Sequence, residues 1–415
     1  MNTESNKSKF FYGWVIVFAG ALISATSIGI GWNSFGQFIK PICADLGFSR
    51  QAMSTTMTVL SLMQMVINFF WGYIFKRFSL KKMLRLAAVV FPAAYFCFSL
   101  SQKIWMFYLC AVFMGFSMPV LTTLSFAVIV SNWFHEKKGT AIGLAFMGTG
   151  IGGMIFNPVA AALIEGIGWR WAIRLLAGIM FSVINLTLYA LVRIRPEEKG
   201  LLPLGEKTAV PEDPDKLEGM LFKDLIKTWR FRLVCVCVCF ATTAIGCMTQ
   251  CMAPHLTDSG YSAASAALMV SVNMAALAAG KMLLGIIFDK AGLKRASQLS
   301  VFCGALGLLG MILCKNPMFL PLIVIGQCLG SSFGTVAVPI LAQGLFGKKD
   351  YSTNFGVMSA CSSVGNALSP TINGGVYDRM GSYNPAFCGW LSLLCVAFVV
   401  FTAILPKEKK EGAEA

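Results

Sequence analysis

Charged residues are scarce in this chain. Only 13% of its 415 residues are Asp, Glu, Lys or Arg, whereas 56% are hydrophobic. A soluble protein of this length could not hide so much apolar surface in one core, because part of every soluble fold has to stay in contact with water. The scarcity of charge therefore excludes an ordinary soluble domain and indicates a membrane protein.

Histidine is scarcer still, and the cysteines follow no functional pattern. The two histidines, His135 and His255, are far apart, and the fourteen cysteines show no disulfide spacing. In the run CVCVC at 235–239, alternate residues would point about 200° apart on a helix, so the thiols would not converge on a metal. The sequence also contains no nucleotide-binding loop, nucleophile elbow or zinc-protease signature. We therefore expect no enzymatic activity, no metal and no cofactor.

Long uncharged runs are what the chain has in abundance. A helix of about 20 apolar residues spans the roughly 30 Å hydrocarbon core of a bilayer. The runs predict an all-α membrane protein with about twelve transmembrane helices. The predicted spans are 11–36, 51–75, 83–101, 104–130, 139–165, 169–192, 231–256, 263–288, 297–315, 318–345, 353–377 and 383–405.

The net charge of +15 would suit a nucleic-acid partner, but its distribution does not. If the N-terminus is cytoplasmic, the cytoplasmic segments hold 26 of the 34 Lys and Arg residues, the outer loops hold 7, and Lys281 is the remaining one. Such a bias is the positive-inside pattern that orients membrane helices. It predicts a multi-pass protein of the cell membrane with both termini in the cytoplasm, surrounded by lipid and without a nucleic-acid partner.

The two halves of the sequence repeat each other at an offset of 213 residues. KPICADLGFS at 40–49 aligns with APHLTDSGYS at 253–262, and GYIFKRFSLKK at 72–82 aligns with GIIFDKAGLKR at 285–295. A segment rich in charge, Pro and Gly separates the halves. We therefore predict an N-terminal six-helix bundle at 1–192, a cytoplasmic linker at 193–230 and a C-terminal six-helix bundle at 231–415.

The segment GIIFDKAGLKR resembles the loop signature of the major facilitator superfamily. The resemblance implies two pseudo-symmetric six-helix bundles that rock about a central site, with the Asp of the signature helping to latch the bundles on the cytoplasmic side. In the first-half copy Lys76 stands where that Asp is usual, so only Asp289 is expected to act as a latch. The matching positions, to which we assign a gating role, are Gly285, Asp289, Gly292, Lys294 and Arg295, with Gly72 opening the first copy.

A narrower resemblance covers nearly the whole chain. The segments FYGWVIV at 11–17, SNWFHEKKGTAIGLA at 131–145, GIGWRWA at 166–172 and YDRMGSYNPAF at 377–387 are similar to the oxalate/formate antiporter and monocarboxylate porter branch. That branch carries a cation in the eighth helix, usually Arg, four residues before the glycine of the loop signature. Lys281 occupies this place.

Three further charges known from members of this branch are missing here. The second cation of oxalate carriers would correspond to Ser362, and the first-helix lysine of some monocarboxylate carriers to Asn33. An Asp four residues before the eighth-helix cation would correspond to Leu277. A two-cation clamp for a dianion is therefore absent, which favours a monocarboxylate.

Lys281 is the one charged residue between Ala263 and Phe288. A cation at this depth costs about 2.5–3.5 kcal/mol on insertion scales and is seldom left without a partner. Asp289 lies eight residues away, about 12 Å along a helix, which is beyond the reach of the side chain. Since the predicted helices contain no deep Asp or Glu, we expect a substrate anion to be the counter-ion. A structural lysine that extends to the interface is the alternative.

Other polar residues at membrane depth are candidates for lining the same cavity. Asn68 is the repeat mate of Lys281, so pseudo-symmetry would place it across the cavity. Interhelical hydrogen bonding is the alternative role for all of them. The further candidates are Trp32, Asn33 and Gln37 on the first helix and Ser362 and Asn366 on the eleventh.

These observations predict a monomeric secondary transporter that moves a small organic anion, preferably a monocarboxylate, by alternating access. A drug or neutral-metabolite exporter of the same fold is the alternative function. Two coupling schemes also stay open: obligatory anion exchange, or symport in which protons serve as the coupling ion.

Overall fold

A computed structural model describes residues 11–205 and 219–405, and these residues form twelve long helices. By length and apolar composition, eight continuous helical segments qualify as membrane spans, and two of these each contain two helices joined at a glycine kink. The helices Leu80–Phe98 and Tyr351–Met380 complete the twelve. The helices are α1 Gly13–Leu46, α2 Arg50–Arg77, α3 Leu80–Phe98, α4 Ile104–Trp133, α5 and α6 at 138–167 and 169–190, α7 Trp229–Asp258, α8 and α9 at 263–291 and 293–312, α10 Pro317–Phe346, α11 Tyr351–Met380 and α12 Asn384–Ile404.

Glycine makes the two kinks possible. Gly168 (φ 77°) separates α5 from α6, and Gly292 (φ 76°) separates α8 from α9. Backbone with positive φ is accessible to glycine at little cost and is strained for other residues. Gly292 belongs to the loop signature, so its place in the motif has a conformational reason: it reverses the chain between two membrane spans.

The repeated segments around residues 40–49 and 253–262 have the same local structure. Gly47 (φ 70°) and Gly260 (φ 99°) end α1 and α7 in the left-handed region. Ser49 accepts a hydrogen bond from the backbone N–H of Ala52, and Ser262 does the same for Ser265, so each serine caps the next helix. A cap of this kind is worth about 1 kcal/mol. In these two segments, the repeated sequence therefore forms the same helix end and the same start of the next helix.

The first helix is longer than the sequence predicts. The predicted span ends at residue 36, because Gly36, Gln37, Lys40 and Pro41 dilute the apolar pattern. The helix instead continues to Leu46 through a π-helical turn at Gly29–Asn33. A proline loses only one backbone hydrogen bond near a helix end, so Pro41 does not terminate α1.

Packing within and between the halves relies on small residues. Gly148 and Gly152 of α5 lie directly against the backbone of α1. Across the halves, α2 packs along α11 and α5 packs along α8. Small residues let helix backbones approach closely, which is how helices gain packing energy in a bilayer.

Only part of the predicted linker is described. Residues 206–218 lie outside the described residues, as do residues 1–10 and 406–415, with which the predicted bundles begin and end. On one side of the gap, Leu204 pairs with Phe134 in an isolated bridge, and on the other Gly219 pairs with Gly347. Residues 134 and 347 are themselves related by the offset of 213. The linker thus pairs with equivalent interhelical loops on both sides of residues 206–218.

Candidate functional site

A cavity of about 310 Å³ lies between the two halves. Its wall is formed by residues from α1, α2 and α4 of the first half and from α7, α8, α10 and α11 of the second. Hydroxyl and amide side chains dominate its polar lining, and Lys281 is the one charged residue among the described residues that line it. The cavity can therefore offer a ligand many neutral hydrogen-bonding groups and a single positive charge.

Lys281 projects from α8 into the space between the halves and is 3% exposed. Its Nζ donates a hydrogen bond to the Thr149 hydroxyl on α5 of the opposite half. Within residues 11–205 and 219–405, no carboxylate forms an ion pair with it. A buried ammonium with a neutral partner is left electrostatically uncompensated, which is costly at low dielectric.

Asn68 makes a second hydrogen bond across the halves. It is 6% exposed, and its Nδ2 donates to Ser363 Oγ on α11 at 2.9 Å. Its Oδ1 is buried and has no partner among the described residues. Lys281 is the repeat mate of Asn68, and Thr149 is the repeat mate of Ser362, the neighbour of Ser363. The two contacts therefore join nearly equivalent positions of the two halves.

Ser362 and Asn366 also lie on the cavity wall. Ser362 Oγ donates to the Met358 carbonyl of its own helix at 3.3 Å, so its oxygen can still accept a hydrogen bond. Asn366 approaches Gly246 of α7 so closely that a β-carbon at position 246 would collide with its Oδ1. Gly246 therefore makes the room that Asn366 occupies.

The three candidates on α1 do not line the cavity. Trp32 is half-buried and Gln37 is exposed. Asn33 Nδ2 donates to the backbone carbonyl of Thr149 at 3.0 Å. Thr149 thus holds Asn33 through its carbonyl and Lys281 through its hydroxyl, which connects the first helix with the cation through a single residue.

The end of the molecule that carries the linker, called here the linker side, is closed by contacts between the halves. Asp289 at the end of α8 accepts hydrogen bonds from the backbone N–H groups of Gly139 and Thr140, each at 2.7 Å, and from the Thr140 hydroxyl at 2.6 Å. These N–H groups begin α5, where the helix dipole favours a negative charge. Asp289 therefore caps a helix of the opposite half.

The first half makes the equivalent contact, but with a cation at the position where the second half has an acid. Lys76, the repeat mate of Asp289, forms an ion pair with Asp350 at 2.7 Å. The other oxygen of Asp350 accepts from the backbone N–H of Phe222 in the linker at 2.9 Å. The expectation that only Asp289 latches the halves was thus incomplete: an acid that stands at the head of α11 compensates for the lysine.

A family model supplies the decisive comparison. The model described as Major Facilitator Superfamily matches residues 21–370 and, in an overlapping second match, residues 254–415. The chain belongs to the Major Facilitator Superfamily. Its all-α fold of about twelve transmembrane helices in two six-helix bundles is confirmed by this match and by the solved structure described below.

Relatives within the superfamily point to one branch. Monocarboxylate transporter 12 of Homo sapiens is 28% identical over 322 residues, covering 70% of this chain and 61% of that protein. Monocarboxylate transporter 11 of Homo sapiens is 23% identical over 390 residues, covering 91% of this chain and 79% of that protein. The predicted similarity to the monocarboxylate porter branch is confirmed, although the chain spans less than two thirds of the first relative's length.

A solved transporter of the superfamily has the same fold. The fucose:proton symporter of E. coli superposes with a TM-score of 0.70 at 12% sequence identity, covering 96% of this chain and 100% of that one. The chain is therefore a multi-pass membrane protein of the Major Facilitator Superfamily.

The remaining residues of the superfamily loop signature have different surroundings. Gly72 packs against Thr353 of α11, and Gly285 packs against Gly139 and Thr140 of α5, so both glycines permit close contact at the linker side. Lys294 donates to the Thr402 carbonyl at 2.6 Å within its own half. Arg295 is exposed.

Sequence reasoning missed three residues at these sites. Thr149 could have been found by applying the offset of 213 to Ser362, and Asp350 by asking which acid follows the tenth helix. The third is Lys138 at the start of α5, whose Nζ is buried without a hydrogen-bond partner among the described residues and lies 5.4 Å from the centre of the Tyr351 ring. Because Lys138 stands beside other charged residues in the sequence, the sequence did not indicate that it would be buried.

Proposed function

We propose that this transporter carries a small organic anion, preferably a monocarboxylate, through the cavity between its halves. The observation that carries the proposal is Lys281, a buried cation whose described partner is a neutral hydroxyl. A bound carboxylate would supply the missing negative charge and offset the cost of burying the ammonium. The cavity of about 310 Å³ suits a small solute.

The type and number of charges favour a monoanion. Lysine presents a compact point charge, which constrains carboxylate geometry less than an arginine fork would. The positions of a second cation hold Ser362 and Asn33, so a dianion would keep one charge uncompensated. The printed names of the relatives from Homo sapiens, monocarboxylate transporters 11 and 12, agree with this substrate class.

The neutral polar groups of the cavity would then position the rest of the solute. Asn68 Oδ1, without a partner, is a ready acceptor for a substrate hydroxyl, and the Ser362 hydroxyl can turn toward the ligand. Asn366 stands next to them on α11. We infer that these three groups set the choice among carboxylates, while Lys281 sets the requirement for one.

We infer that the linker side faces the cytoplasm, because that side carries most of the lysines and arginines. With Asp289 and Lys76 both engaged, the carrier is closed toward the cytoplasm. Transport would then proceed by alternating access: release of these contacts opens the cavity inward as the two bundles rock. The cell membrane is the proposed location.

Whether transport is anion exchange or proton symport depends on whether Lys281 keeps its charge through the transport cycle. If it stays positive throughout, the empty carrier must occlude an unpaired cation, which costs several kcal/mol. Only the loaded carrier then crosses readily, and transport becomes an obligatory exchange of anions. If the lysine instead returns neutral, each anion travels with one proton. We propose exchange, because the branch that the sequence resembles includes antiporters and because a permanently charged Lys281 lets only the loaded carrier cross.

The test is uptake of a panel of radiolabelled carboxylates by the purified protein in proteoliposomes. Lys281→Gln should abolish uptake, and Lys281→Arg should keep part of it because the charge is retained. Lys103→Gln, which changes an exposed lysine at the start of α4, is the matched control and should transport like the parent. Equal uptake by Lys281→Gln and the parent would instead favour a drug or neutral-metabolite exporter.

A further inference from the structure

A second cavity, of about 280 Å³, lies on the linker side between α3 and α6, away from the transport path. Three of its lining residues are cations, namely Lys81 and Arg85 on α3 and Arg193 just after α6. One lining residue, Glu198, is an acid. The cavity therefore carries an excess of positive charge at the end of two membrane helices.

The acid is already occupied by the protein. Glu198 Oε1 accepts hydrogen bonds from the backbone N–H groups of Ile194 and Arg195 at 3.1 and 3.3 Å. Its other oxygen is 3.9 Å from Lys81 Nζ, the outer limit of an ion pair. Within the described residues, Arg85 has no hydrogen-bonded or carboxylate partner and lies 5.5 Å from the centre of the Tyr189 ring. Arg193 is partly engaged, since its Nη1 donates to the Tyr189 and Val192 carbonyls at 3.2 and 2.9 Å. Lys81 and Arg85 are therefore the cations that can receive an external anion.

The depth of the cavity matches the headgroup region of a bilayer. Arg85 lies five residues after Leu80, where α3 begins, or about 7.5 Å along the axis. The polar interface on each side of a membrane has about this thickness. Below it, Leu86, Val89 and Leu186 are exposed on the lipid-facing surface. An occupant can thus place a negative group among the cations and hydrocarbon chains against these side chains.

The second half can be compared at the repeat mates of Lys81, Arg85 and Tyr189. These are Lys294, Gln298 and Thr402. Lys294 Nζ donates to the Thr402 carbonyl at 2.6 Å, and Gln298 Nε2 donates to the Thr402 hydroxyl at 2.8 Å. There the protein satisfies its own polar groups. In the first half the corresponding side chains are more basic and surround an open space.

We propose that this second cavity binds the phosphate headgroup of an anionic phospholipid from the leaflet on the linker side. Basic pockets between transmembrane helices on the cytoplasmic side are suited to such headgroups, because each Lys or Arg near the surface adds to the attraction. The start of α3 adds the positive end of a helix dipole. Lipid rather than a soluble anion is the occupant, since the cations are bordered by exposed apolar side chains.

Native mass spectrometry of the purified full-length protein in detergent tests the proposal. Phosphatidylglycerol should be retained in preference to phosphatidylcholine with the same acyl chains. Arg85→Gln, which copies the residue of the second half, should weaken that retention about fivefold. Arg85→Lys keeps the charge and should retain the lipid. Arg232→Gln, an exposed arginine at the start of α7, is the matched control and should behave like the parent.

Three outcomes would overturn the proposal. One is equal retention of the two lipids by the parent protein, a comparison that does not depend on the folding of any variant. Another is unchanged phosphatidylglycerol retention by Arg85→Gln. The third is displacement of the lipid by an equal concentration of glycerol 3-phosphate, which would identify the second cavity as a site for soluble phosphate esters.

Discussion

Two hydrogen bonds between the halves of the molecule involve residues related by the internal repeat. Lys281 donates to Thr149, and Asn68 donates to Ser363. The side chain at one end of each pair comes from α2 or α8, and the hydroxyl at the other end comes from α5 or α11. The two halves thus use the same construction with one change of chemistry, an ammonium in place of an amide. In the proposed function, that change makes the cavity selective for charge.

Replacement of Thr149 tests the role of the hydroxyl partner. Thr149→Val keeps the shape but removes the acceptor of the Lys281 ammonium, and an unsatisfied buried polar group costs about 1–3 kcal/mol, more when it is charged. We expect a lower melting temperature of the empty protein and a larger thermal stabilisation by a bound carboxylate. Thr149→Ser should resemble the parent. Equal melting temperatures for all three proteins would show that the hydroxyl does not stabilise the cation.

At the scale of elements, two contacts of unequal strength close the linker side, and we propose that they form its gate. Asp289 receives three hydrogen bonds from the start of α5, and charge-assisted hydrogen bonds are the stronger kind. The ion pair between Lys76 and Asp350 is mostly in water on the lysine side, where 61% of the side chain is exposed. Solvent screening of the exposed lysine limits such a pair to about 1 kcal/mol or less. Asp289 should therefore dominate the gate.

Neutralising each contact separately tests this order. Asp289→Asn should open the linker side more often than Lys76→Gln does, because it weakens charge-assisted bonds across the halves. The measurement uses Ser362→Cys in a cysteine-free background and the rate at which a membrane-impermeant thiol reagent labels it from the linker side. A faster rate for Lys76→Gln than for Asp289→Asn would reverse the assignment.

For the whole molecule, orientation is the first property to test. Lys199, in the described part of the linker, and Lys103, at the opposite end of the molecule before α4, should face different compartments. Cysteines placed singly at these positions in a cysteine-free background should react with an impermeant reagent from the cytoplasm at position 199 and from outside at position 103. The opposite labelling pattern would invert the proposed topology.

The coupling scheme is a second property of the whole molecule. With a permanent charge at Lys281, labelled carboxylate should enter only those proteoliposomes that contain unlabelled substrate, because the empty carrier cannot return. An inward proton gradient imposed on empty vesicles should drive little uptake. Strong uptake into empty vesicles that a protonophore abolishes would establish proton symport and would make Lys281 the candidate proton carrier.

The sequence by itself determined the twelve helices, their grouping into two repeats and the depth of Lys281. Each of these depends on local composition: a bilayer requires about 20 apolar residues per helix and makes any exception conspicuous. The loop signature likewise identified the glycines at which helices meet or reverse, since Gly72, Gly285 and Gly292 serve backbone geometry.

Only the tertiary structure decided which groups meet. It joined Lys281 to Thr149, directed Asn33 to the Thr149 carbonyl and away from the cavity, and supplied Asp350 as the partner of Lys76. These pairs join separate helices, and the apolar pattern of a membrane helix carries little information about which face will contact which neighbour. The partner of each polar group is therefore set by the packing of the two halves.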